Sequence, residues 1–193
     1  MMADAAAVRV AIDLVHVPSR VRVMRADPLP DGVETVLRVA AGDEGAETEA
    51  AAAVGRPREL VREASAFYIE QILLSPDADS YRVLGTDDTA TAAELRHNMA
   101  LLLRWLHPDM DRQGVRSLFA GRVTQAWETL KTPERRAAYD AKLSARETNA
   151  RRPRRTRLKR RAQASGKGVG AWPKPPRGFL QRAMSLLFRG ARY

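Results

Sequence analysis

The chain has 193 residues, no cysteine and a formal net charge of +10, enough for one ordinary domain with extensions or for two small ones. The lack of cysteine excludes disulfides, Cys-ligated zinc, iron–sulfur clusters and thiol catalysis, and no run of about 18 apolar residues offers a membrane span. The start, MMADAAAVRV, lacks the basic-then-apolar order of a secretion signal, so a cytoplasmic protein is expected.

Charge is distributed unevenly. Residues 1–145 carry 18 Lys/Arg against 22 Asp/Glu, whereas 146–193 carry 15 against one. A mildly acidic body therefore bears a strongly basic tail. In chain order, residues 8–25 alternate β-branched and polar side chains around Pro18-Ser19, which predicts two short strands. A third is predicted over Val33–Val39, after the turn DPLPDG. Residues 41–56 are small, acidic and bounded by glycine, as in a linker or a weak helix, so 1–56 is expected to be a β-rich region with a linker. Over 57–78, Pro57 at a helix start and apolar residues at 60, 61, 64, 68 and 72 predict an amphipathic helix.

The pattern tightens from Asp79. DSYRVLG is a short helical segment closed by Gly85. Thr91 and Glu94 form a T-x-x-E capping box that opens a helix through Leu106. Pro108 ends that helix, because proline has no amide hydrogen to continue it. A third helix is predicted from about Val115 to Leu130, and a fourth begins with Thr132 as N-cap and Pro133 in first position. Beyond residue 145 the basic arm 146–178, with its proline and glycine, lacks periodicity and is expected to be disordered. The last segment, 179–193, regains a short amphipathic stripe at Phe179, Leu180, Ala183, Met184, Leu187 and Phe188.

Four blocks within this region belong together: Tyr81-Arg-Val-Leu84-Gly85, His107-Pro108-Asp109, Ala126-Trp127-Glu-Thr-Leu130 and Arg136-Ala-Ala-Tyr139-Asp140. In order and spacing, residues 79–143 resemble the J domain of DnaJ-type co-chaperones. The resemblance implies a helical hairpin, with a J domain over 79–145, whose turn docks on a DnaK-type heat-shock chaperone and triggers its ATP hydrolysis. It makes His107, Pro108 and Asp109 the binding turn. The fold class expected is mainly α, a J-domain hairpin with flanking short helices, a small N-terminal β/α region before it and a disordered basic tail after it.

The helix before the turn departs from the family pattern. Its outer face typically carries several Lys and Arg, but here only Arg96 and Arg104 are basic, with His97 as a third. Ala100 and Leu101 stand where further basic residues are often found, and Met110 replaces another. At about 100° per residue Leu95, Asn98, Met99, Leu102 and Leu106 face the core, leaving Leu101 and Leu103 toward the outside. Either the 57–75 helix packs there or the partner site is unusually dry; packing is favoured.

No other chemistry stands out. His16, His97 and His107 lack metal-ligand spacing, and GKGVG at 166–170 lacks the strand–loop–helix setting of a phosphate loop. No nucleophile–base pair is present, so the chain is expected to be neither an enzyme nor dependent on a cofactor. Arg151, Arg152, Arg154, Arg155, Arg157, Lys159, Arg160 and Arg161 make a candidate anion-binding tail, for nucleic acid or an anionic membrane surface. A solubilising tail is the plainer alternative. No client is indicated.

Overall fold

A computed structural model describes residues 5–107 and 117–151. Its first helix, α1 (Ala6–His16), leads through a 3-10 turn at Pro18–Arg20 into the single turn α2 (Val21–Met24). Then follow α3 (Val33–Ala40), α4 (Glu44–Val54) and α5 (Arg58–Tyr68), the last continuing into a π-helical turn, Ile69–Leu73. The remaining helices are α6 (Ser80–Val83), α7 (Ala92–Trp105), α8 (Ser117–Leu130) and α9 (Pro133–Arg151).

The predicted N-terminal strands are thus helices, and no strand occurs among the described residues. The alternation of valines over 8–25 misled because a second period lies beneath it. Ala7, Val8, Ala11, Ile12 and Leu14 form one buried face of α1. Val33, Val36, Leu37 and Ala40 do the same at i, i+3, i+4 and i+7 in α3. The lower helix propensity of valine costs only a few tenths of a kcal/mol per residue, and burying that face offsets it. Residues 44–54, left between linker and weak helix, form α4. Asp43 caps it by accepting from the Ala46 amide at 3.0 Å, and Gly55 ends it in the left-handed conformation at φ 63°.

The later elements follow the sequence closely. Asp79 caps α6, Gly85 turns the chain at φ 68°, and Thr132 accepts from the Arg135 amide at the start of α9. One boundary moves: helix continues through residues 146–151, where disorder was expected. No residue there breaks a helix, and Pro153 is the first that would.

Residues Met1–Ser144 form one compact unit, and Ala145–Tyr193 a second, described only as the end of α9. Within the first unit α5 lies against α1, α3 and α4, while α8 receives α6 and α7. α3 touches both groups, packing on α5 and on α7. A single apolar cluster accordingly runs from Ala7 through Tyr68, Leu84 and Trp105 to Leu130. No described helix is long and apolar enough to cross a membrane.

Candidate functional site

The helix that leads to His107 is fixed at both ends. At its start Thr91 and Glu94 cap each other: the Glu94 amide donates to Thr91 Oγ1 at 3.2 Å and the Thr91 amide donates to Glu94 Oε2 at 2.6 Å. The Thr91 amide, and after it the Thr91 hydroxyl donating to the same oxygen at 2.9 Å, hold the Glu94 carboxyl below the usual carboxylate range. At its end the Leu106 amide still reaches the Leu102 carbonyl, but the His107 amide donates to Arg104, a tightened final turn. Leu95, Leu102, Trp105 and Leu106 are buried. Asn98, also buried, donates from Nδ2 to the Leu84 carbonyl at 3.0 Å and ties α7 to the end of α6.

Arg96, His97, Ala100, Leu103, Arg104 and His107 are exposed. Arg96, Ala100, Leu103 and His107 follow one another at helical spacing along one face. Leu103 is 39% exposed at its middle. Pro108 and Asp109 lie outside the described residues, as do Arg152, Arg154, Arg155, Arg157, Lys159, Arg160 and Arg161; of Arg151 only the backbone, at the end of α9, is described.

The first and last sequence blocks meet in space. Tyr81 donates its hydroxyl hydrogen to Asp140 Oδ1 at 2.7 Å and accepts from Arg136 Nε at 2.9 Å. The Arg136 guanidinium lies 5.2 Å from the centre of the Tyr81 ring and donates to the Ala90 and Asp88 carbonyls. Tyr139 accepts from the Ser80 amide at 2.8 Å, and its ring meets Tyr81 edge-on at 5.9 Å between centroids. Burial, then the Asp140 carboxylate, pushes the Tyr81 phenol up to about 12. The third block supplies packing: Ala126 and Leu130 are buried and Trp127 partly so.

A family model, the DnaJ domain, matches residues 79–140. The segment 79–140 is a DnaJ domain. Human DnaJ homolog subfamily C member 16 is 38% identical over 73 residues, 37% of this chain and 9% of that protein. A curved DNA-binding protein of Coxiella burnetii is 38% identical over 63 residues, 33% of this chain and 20% of its own. The chaperone protein DnaJ of Oceanobacillus iheyensis is 34% identical over 62 residues, 32% of this chain and 16% of its own. The chain therefore spans a fifth or less of the length of these curated relatives, and no solved structure matches it.

Around the DnaJ domain the structure adds contacts that the sequence analysis missed. His97 Nε2 lies 3.2 Å from Glu34 Oε1 of α3, so a residue assigned to partner binding faces an acid of its own chain. Leu101, one turn further on, is half-buried against the core rather than outward. Of the helices before residue 79, α3 is the one that packs on α7, and the 57–75 helix makes no comparable contact with it. Arg122 of α8 donates from Nη1 to the Leu74 carbonyl at 2.8 Å and from Nη2 to that of Ser75. Arg82 donates to the Asp27 carbonyl. No local pattern marks Glu34 or Arg122, because their partners lie between 47 and 63 positions away.

His16 serves α1, its Nδ1–H meeting the Ile12 carbonyl at 2.8 Å. Among the described residues no cluster of His, Asp or Glu could hold a metal ion.

Proposed function

We propose that this protein is a J-domain co-chaperone, which binds a DnaK-type heat-shock chaperone and stimulates its ATP hydrolysis through His107, Pro108 and Asp109. The observation that carries this reading is the DnaJ domain at 79–140, with His107 exposed where the braced helix α7 ends. Pro108 stiffens the turn, Asp109 can accept charge-assisted bonds from a basic partner group, and His107 can donate or accept. Arg96 and Arg104 supply positive charge for an acidic partner surface. In this reading ATP is hydrolysed by the partner, the chain itself is no enzyme and it works in the cytoplasm. The upstream helices and the basic tail select its place or client.

A second reading is an adaptor for nucleic acid or an anionic membrane, favoured by the 15 Lys/Arg against one Asp/Glu in 146–193.

Single-turnover ATP hydrolysis by a DnaK-type chaperone, with the wild type and with His107→Gln, separates the two. Circular dichroism verifies that both are folded. Stimulation by the wild type and none by the variant is the expected result. No stimulation by either folded protein overturns the co-chaperone reading and leaves the adaptor.

A further inference from the structure

α7 has three sides. One, with Leu95, Leu102 and Leu106, is buried in the core that α8 shares. A second runs through His97 and Leu101, one helical turn apart. A third runs through Arg96, Ala100, Leu103 and His107. Only the last is exposed along its whole length. α3 stands against the second side: Glu34 meets His97 at 3.2 Å, both side chains remaining more than half exposed, Leu101 is half-buried, and α3 packs on α7. Helix α3 is itself anchored from behind, since Val33, Val36, Leu37 and Val39 are buried and it also packs on α4 and α5.

We propose that α3 is a built-in cover for the His97–Leu101 side of α7, with Glu34 standing where an acidic partner side chain would otherwise sit, so that a DnaK-type chaperone docks only on the stripe Arg96–Ala100–Leu103–His107. The inference rests on the co-chaperone reading for the identity of the partner, but not for the cover. It explains two departures from the family pattern at once. Leu101 is apolar because it packs inside the chain, and Ala100 and Leu103 leave a dry centre between Arg96 and His107. The partner surface that fits such a stripe is acidic at both ends and apolar between them.

The absence of cysteine makes the test clean. In the full chain Glu34→Cys and His97→Cys are introduced together and joined by a short bis-maleimide. Stimulation of ATP hydrolysis by the bridged protein is then compared with that by the same variant before bridging. The expected result is a high yield of bridging and stimulation equal within about twofold, whereas Arg96→Glu on the stripe lowers stimulation about fivefold or more. Failure to bridge overturns the proposal, because α3 is then not held on that side. Stimulation lost on bridging also overturns it, because the partner then needs α3 to leave. So does stimulation lost on the double substitution alone, since the partner would then be using His97. If the wild type itself stimulates no chaperone, the co-chaperone reading fails instead, and a high bridging yield still upholds the cover.

Discussion

Gly85 shows how one residue of a family block can serve packing rather than binding. Its φ of 68° lies in the left-handed region, and a β-carbon there would stand 3.0 Å from Val33 Cγ1 and 3.3 Å from Leu37 Cδ1. The glycine thus lets α3 and the turn after α6 approach each other. Gly55 shares the dihedral, at φ 63°, but a β-carbon there would meet nothing within 4 Å. Gly55→Ala should therefore cost only the left-handed backbone term, about 1–2 kcal/mol. Gly85→Ala adds overpacking of about 1–3 kcal/mol. Urea denaturation of both variants checks this; equal losses would mean that the Val33 and Leu37 side chains yield freely. Tyr81 and Arg136 are family residues of the same structural sort. Their hydroxyl, guanidinium and carboxylate partners close the ends of the DnaJ domain on each other.

At the level of elements, α4 and α5 are joined by a buried acid. Glu47 is 1% exposed, and its carboxylate receives Arg62 Nη2 at 2.7 and 2.8 Å and Arg58 Nε at 3.2 Å. Burial pushes its pKa up, and the two guanidiniums more than offset that, holding the carboxyl below its ordinary value. A carboxylate with a lowered folded pKa stabilises the fold above the unfolded value of 4.5 and loses that contribution as pH falls through the folded pKa. Glu47→Gln should cost about 1.5–3 kcal/mol at neutral pH, the worth of hydrogen bonds to a charged group. That difference should shrink below pH 4.5. Stability curves of the two proteins measured against pH give the answer, and a gap that stays constant into acid would assign the loss to packing. Glu47 also marks the limit of what the sequence showed. Capping boxes, proline starts and glycine stops are local, so the starts of α6, α7 and α9 were legible almost residue by residue. The strands predicted before residue 40 were wrong because alternating valines resemble a strand until the helical period of the buried residues among them is counted. For the site, the exposed end of α7 at His107 was equally local. The pairing of His97 with Glu34 was not, since nothing near either residue signals a partner 63 positions away.

For the whole molecule, the DnaJ domain and the helices before it share one core. Gly85 lies against Val33, Leu37 and Leu73, Arg122 binds the Leu74 and Ser75 carbonyls, and α3 packs on α7. A fragment of residues 79–151 would keep the four blocks but expose the apolar surface beneath Gly85 and Leu101. It would also leave Arg122 without those two acceptors. Losing these contacts should lower stability by about 2–3 kcal/mol, which for a domain of this size moves the midpoint by roughly 10 °C or more. Thermal unfolding of the fragment beside the full chain, followed by circular dichroism, tests this directly. A fragment that melts with the full chain would make the upstream helices a separate folding unit resting on a self-sufficient DnaJ domain. A lower midpoint would make them part of the device that holds α7 and α8 in place, and would tie the position of His107 to residues that the family match at 79–140 does not include.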